Sequence, residues 1–260
     1  MFGVPSERPG DWKFRVLNFP VRVSIWFWLV CLMLGPHSPR GAVMWIGCVF
    51  VSILVHEMGH GLVARWFGYR SQLILYGFGG LCVSEADGQT SNQRIAISLG
   101  GPIAQFLLLG VVMASGALTL GLGVSDNILL ARLFVGLPVK GGISPSGSEM
   151  AWELYFYMFQ INWLWPLFNL LPIWPLDGGH VCGELLTKVN RREGRRWGHI
   201  VSMVLTGALA IYFLTHGSEE QVDTLLRVAF FASIAYLNYQ MLQTYQRSRQ
   251  QYGSDYDRDW

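Results

Sequence analysis

The segment Val43-Met44-Trp45-Ile46-Gly47-Cys48-Val49-Phe50-Val51-Ser52-Ile53-Leu54-Val55 runs directly into His56-Glu57-Met58-Gly59-His60. Up to Val55 only Ser52 has a side chain that hydrogen-bonds well, and Leu62, Val63, Ala64, Trp66 and Phe67 follow the histidines. An apolar stretch of this length predicts a helix that crosses a bilayer. Two histidines four apart lie on one face of that helix, about one turn from each other, so both can bind one metal ion. The glutamate between them can take a proton from water that the metal activates. A His-Glu-x-x-His match can arise by accident, but ionisable groups at membrane depth cost energy and mark functional sites. The pattern therefore predicts zinc chemistry inside a membrane.

Composition agrees. Of 260 residues 52% are hydrophobic and only 14% charged, against about a quarter charged in an average soluble domain. Mean hydropathy is +0.33, and the 11 tryptophans suit lipid–water interfaces. Six apolar segments can be drawn, at residues 21–35, 41–67, 95–121, 151–176, 199–216 and 225–242. The first resembles a signal peptide in length, but no small-x-small cleavage site follows it, so it is read as a retained span. The last is interrupted by Arg227 and Asn238. The expected fold class is all-α: a polytopic membrane protein of about six transmembrane helices, with a β-hairpin dipping into the membrane. Residues 1–245 read as a single transmembrane domain and residues 246–260 as a flexible polar tail, with no appended soluble domain.

Lysines and arginines sort by side. Arg8, Lys13, Arg15 and Arg22 lie before or at the start of the first segment, and Arg65, Arg70 and Arg94 at or beyond the end of the second. Lys188, Arg191, Arg192, Arg195 and Arg196 follow the fourth, and Arg247, Arg249 and Arg258 follow the last. The alternate connections hold only Arg40, Arg132, Lys140 and Arg227. By the positive-inside rule this split predicts a multi-pass protein of a bacterial-type cell membrane with both termini cytoplasmic. The Arg191–Arg196 cluster beside a span fits anionic lipid headgroups rather than nucleic acid. Cys31, Cys48, Cys82 and Cys182 lack paired metal spacing and read mainly as small hydrophobes.

A catalytic zinc site needs one more protein ligand and leaves one position for water. The candidate lies in Asn169-Leu170-Leu171-Pro172-Ile173-Trp174-Pro175-Leu176-Asp177-Gly178-Gly179-His180. Pro166, Pro172 and Pro175 must kink or unwind the span there. Broken backbone at membrane depth is tolerated where it lines a cavity or is buried in protein. Asp177 sits at the break, and Gly178 and Gly179 let the chain turn close to another element. Under the charge map both motif-bearing spans run from outside to inside. His56, His60 and Asp177 would then all reach the cytoplasmic half of the bilayer.

Together these motifs resemble the site-2 protease family of intramembrane zinc metalloproteases. Its signatures are a His-Glu-x-x-His helix and a later Asn-x-x-Pro-x-x-x-Leu-Asp-Gly segment, here Asn169, Pro172, Leu176, Asp177 and Gly178. The resemblance covers most of residues 15–190, including Gly100-Gly101-Pro102, and suggests a minimal member without PDZ-like or nucleotide-sensing domains. Trp174 is bulkier than the small residue or proline expected at its position. The resemblance implies that His56, His60 and Asp177 bind one Zn2+ with water in the fourth position, and that Glu57 is the general base. It also implies that Asn169 hydrogen-bonds substrate backbone or the developing oxyanion. The implied activity is hydrolysis of peptide bonds within or near transmembrane segments of membrane-protein substrates.

Several features have two readings. Residues 73–83 form a glycine-centred hairpin whose edge either pairs with an unwound substrate or is purely structural. Asn162 extends a polar path for water or makes a helix-packing hydrogen bond. His180 supports a ligand or merely neighbours one, while His37, His199 and His216 suit interfacial positions. Gly100, Gly101 and Ala104 suit close helix packing. Two rival functions remain: a metal transporter or binding protein, and an inactive relative that binds membrane proteins. A transporter needs polar sites spread along a path, whereas here they gather at one depth. An inactive relative is expected to lose Glu57 or a ligand.

Overall fold

The computed structural model describes residues 10–77, 79–84, 88–216 and 221–256, with no side chains described for residues 221–223 and 246–256. Helices dominate, joined by one four-stranded sheet. By spatial clustering the chain forms two compact units: Met1–Gln89 with Leu99–Phe168, and Thr90–Ser98 with Asn169–Trp260.

The described part of the first unit begins with a sheet whose second strand takes residues 21–23, the start of an expected span. Strands β1 (Trp12–Val16) and β2 (Phe19–Val23) are antiparallel. Leu17 and Asn18 turn between them with φ of 47° and 64°, the left-handed pair that a tight hairpin requires. The Val21 and Val23 side chains that looked like the start of a span are buried in this sheet. Helix α1 therefore covers only Ile25–Leu34, capped by Ser24 and followed by Gly35 and Pro36. At ten residues it is too short to span a bilayer core of about 30 Å, because each helical residue rises about 1.5 Å.

Helix α2 (Pro39–Trp66) is 28 residues long, with Ser38 as N-cap and Pro39 in its first turn. That start matches the fixed φ of proline and its missing N–H. Strand β3 (Ser71–Tyr76) then pairs parallel with β2 and antiparallel with β4 (Gly79–Ser84), giving the order β1-β2-β3-β4. A parallel pair needs a long crossover, and α1 with α2 supplies it. The hairpin expected at residues 73–83 thus exists, but as half of a sheet built on the unexpected N-terminal strands. Phe19, Val21, Val23, Phe27, Ile53, Leu73 and Leu75 form the core beneath it. Arg65 ties the far end of α2 to the first hairpin, donating to the Leu17 carbonyl at 2.8 Å and lying over the Phe19 ring.

Helix α3 (Ser91–Leu120) is followed by α4 (Val124–Phe134) and α5 (Glu149–Asn169). Leu109, Val112, Leu130, Tyr155 and Phe159 make a second core among them, and Tyr155 donates to the Asn127 side-chain carbonyl. Helix α5 is long enough to span, but its amides, glutamates and tryptophans keep it out of the apolar class.

The second unit contains the start of α3, then α6 (Asp177–Val189), α7 (Gly194–His216) and α8 (Gln221–Tyr256). The α8 backbone is helical through Tyr256, beyond the expected start of the tail, whose last four residues lie outside the described set. Among the described residues four helices are long and apolar enough to cross a membrane: Pro39–Trp66, Ser91–Leu120, Gly194–His216 and Thr224–Tyr245. This is a mostly helical membrane protein. Four of the six expected spans meet the criterion, with α1 and α5 falling short for the reasons above.

Candidate metal centre

His56, Glu57 and His60 lie on α2 and are 3%, 4% and 7% exposed. Each offers a ligand atom, and these atoms all lie within 4.8 Å of one another, a spacing suited to sharing one ion. A buried cluster with two imidazoles and a carboxylate suits Zn2+, a borderline-soft ion.

The neighbours of this cluster shape it. The His56 Nδ1–H donates to Gln105 Oε1 at 2.9 Å, which leaves its Nε2 lone pair for a metal. Gln105 is fully buried on α3, and its Nε2 has no hydrogen-bond partner among the described residues. Gly101 N, on the same helix, lies 3.2 Å from His60 Nδ1, so the α3 backbone packs directly against that ring. A Cβ at Gly101 would collide with both imidazoles, and one at Gly80 would collide with the Glu57 carboxyl group. Gly59 and Gly100 likewise let the α2 and α3 backbones meet without room for a side chain between them. The site is therefore a cradle closed by glycines on two sides, and an ion fits it.

Gln105 was not singled out in the sequence, and Tyr76 and Gly80 only as parts of the 73–83 hairpin. Burial and then the negative charge of Glu57 push the Tyr76 hydroxyl pKa up, so this side chain at the end of β3 feels the carboxylate. Gln105 stands four residues after Gly101, on the helical face that meets the histidines. That spacing was the available signal, but the glycines had suggested packing alone. The first unit also holds an almost wholly apolar cavity of about 240 Å³, lined by Phe27, Trp45, Val49, Ile53, Gly79 and Trp165, among others. Ile53 lies one turn before Glu57 on α2.

The remaining predicted residues are placed as follows. Asn162 donates to Ser52 Oγ at 2.9 Å and to the Met158 carbonyl at 2.8 Å, so it serves as packing glue between α2 and α5. Asn169 is the last residue of α5 and Asp177 the first of α6, separated by the non-helical residues 170–176. The proline-rich end of the expected fourth span is thus unwound, and Asp177 opens a new helix. His180 is exposed and stands edge-on to Trp174 with ring centroids 6.4 Å apart.

A buried His-Glu-x-x-His cluster on a span-length apolar helix, with a small sheet packed on it, is an arrangement that can hold a metal ion in a membrane protein. The sequence profile of Peptidase family M50 matches residues 44–213, and the chain belongs to that family, in keeping with its resemblance to site-2 proteases. It is 23% identical over 227 residues to a zinc metalloprotease of Methanocaldococcus jannaschii, covering 84% of this chain and 57% of that protein. It is 29% identical over 207 residues to a putative zinc metalloprotease of Synechocystis sp., covering 75% of this chain and 45% of that protein. The chain thus spans about half the length of these curated relatives. The solved site-2 protease from Methanocaldococcus jannaschii shares its fold, with a TM-score of 0.51 at 20% identity over 89% of this chain and 95% of that one.

Proposed function

We propose that this chain is a zinc metalloendopeptidase that cuts membrane-protein substrates within or near their transmembrane segments. The observation that carries the reading is the buried His56–Glu57–His60 cluster on a span-length apolar helix of a Peptidase family M50 member. Its two imidazoles would hold Zn2+, with Asp177, at the start of α6, as the third protein ligand. When bound, the ion supplies Lewis acidity, polarising the scissile carbonyl and acidifying water.

The chain's own residues do the rest. Glu57 accepts the proton of the attacking water and delivers it to the departing amine. Its burial and the Gly80 backbone against it restrict where that carboxylate can point. Asn169 donates a hydrogen bond to substrate backbone or to the developing oxyanion. A helical peptide bond is shielded by its neighbours, so the substrate must be extended locally. Among the described residues strand β4 is last in the sheet order, and an extended segment could pair along it beside Glu57. The apolar cavity lined in part by Gly77 and Gly79 of the same hairpin suits an apolar side chain of that segment.

The deciding experiment compares the wild-type chain with Glu57→Gln on a transmembrane peptide in detergent or liposomes. Glu57→Gln should keep zinc and fold yet lose cleavage, since an amide cannot accept the proton. Undiminished cleavage by this variant would remove Glu57 as the base.

A further inference from the structure

Residues 170–176 have no regular secondary structure, yet their backbone is held by side chains. The Trp174 N–H donates to Ser202 Oγ at 2.9 Å, and the Trp174 carbonyl accepts from Asn238 Nδ2 at 2.9 Å. Ser202 lies on α7 and Asn238 on α8, with 1% and 0% exposure. Each is held in turn. Ser202 Oγ donates to the Gly198 carbonyl at 2.8 Å, while Asn238 donates to the Ile234 carbonyl and faces His199 Nδ1, both at 2.9 Å. The Trp174 ring also stands edge-on to His199, with centroids 5.4 Å apart.

The other side of the loop is equally confined. A Cβ at Gly178 would run into the Leu170 and Leu171 carbonyls, and one at Gly179 into the Ile173–Trp174 peptide. The start of α6 is thus pressed on a loop whose central peptide has both polar groups taken by α7 and α8. An amide inside a candidate span ordinarily bonds another helix. Here it bonds irregular backbone, which at membrane depth must be satisfied internally. Asn238, which had looked like a flaw in the last span, also lies beyond residues 44–213 of the family match.

We propose that Asn238 and Ser202 are positioning residues: they fix the Trp174 peptide and, through the glycine-tight segment after it, the first turn of α6, where Asp177 stands. The inference rests on the reading of Asp177 as the third ligand. Its chemical content is that the two C-terminal helices set metal affinity without contributing a ligand.

The test uses the full chain in detergent, with zinc affinity measured by chelator competition and ligand geometry by the visible absorption of the Co2+-substituted protein. Asn238→Asp keeps an acceptor for His199 but replaces the donor to the Trp174 carbonyl, and Ser202→Ala removes the acceptor for the Trp174 N–H. Each should weaken zinc binding by about tenfold, the lower end for residues that orient a ligand. Each should also alter the Co2+ bands and lower kcat with little change in KM. Thr206→Ala is the control: among the described residues its buried hydroxyl bonds the Ser202 and Met203 carbonyls, both within α7, so it should reduce stability and leave the Co2+ spectrum unchanged. Wild-type affinity and spectrum in folded Ser202→Ala or Asn238→Asp would overturn the proposal, as would an equal spectral change in Thr206→Ala. If Asn238→Asp fails to fold, Ser202→Ala decides. Unaltered zinc affinity in Asp177→Ala would instead overturn the ligand reading itself.

Discussion

At His56 one ring nitrogen is committed to Gln105, so the amide fixes both the tautomer and the direction of the other nitrogen. Gln105→Leu should therefore weaken zinc affinity by roughly 10–100-fold, and Gln105→Glu, which keeps an acceptor, should recover most of it. Chelator competition measures both, and equal affinities in Gln105→Leu and wild type would show that the contact does not orient the ring. The glycines give a complementary expectation. Gly101→Ala places a methyl group against both imidazoles and should abolish metal binding. Gly80→Ala pushes instead on Glu57, so it should retain zinc and lose cleavage. Metal content and peptide hydrolysis, measured on the same preparations, separate the two.

Among the elements, α6 depends on an ion pair two turns beyond Asp177. Arg94, in the first turn of α3, donates to both Glu184 oxygens at 2.6 and 2.9 Å, and Arg195 lies 3.9 Å from one of them. Burial pushes the Glu184 pKa up, but hydrogen bonds from Arg94 and Ser91 and the charges of Arg94 and Arg195 outweigh it, and the net shift is downward. A carboxylate held below its unfolded value stabilises the fold above that value. The contribution is then lost as pH falls through the folded value. Stability should thus decline as pH drops below the ordinary glutamate range near 4.3. Glu184→Gln should cost about 1 kcal/mol at neutral pH, since a charge-assisted pair is weakened by partial exposure, and should flatten the acid side of the curve. Thermal melts of both proteins between pH 3 and 7 check this. A steeper acid decline in the variant would contradict it.

For the whole molecule, the division of 19 basic residues into alternate connections motivates an orientation with both termini and the metal-bearing half of α2 on the cytoplasmic side. Reporter fusions at the two ends should both report cytoplasm. Product termini mapped by mass spectrometry should fall in the cytoplasmic half of the substrate span, near Gly, Pro or Asn residues that loosen its helix. Cuts confined to the outer half would reverse the proposed orientation. The structure adds that Arg22 is not simply a headgroup contact. It is buried in β2 beside Asp11, so its weight in the charge map reflects sheet packing as well as topology.

Local chemistry made part of this protein readable in one dimension. The His-Glu-x-x-His spacing on an apolar run, the helix-breaking prolines before Asp177, and the glycine-centred hairpin each express a rule that acts within a few residues. The apolar runs in α2, α3, α7 and α8 were legible for the same reason. Sheet pairing was not: Val21 and Val23 look alike in a strand or a span, and only the parallel partner Leu73–Leu75, some fifty residues away, decides between them. The same holds for the support of the site. Gln105 on His56, Gly80 on Glu57, and Asn238 on Trp174 join residues from 23 to 64 positions apart. Each is a contact between side chain and ring or backbone that no sequence period encodes. The sequence determined which groups can do the chemistry; packing of α2 against α3 and of α8 against the loop decided how firmly those groups are held, because orientation is set by neighbours in space.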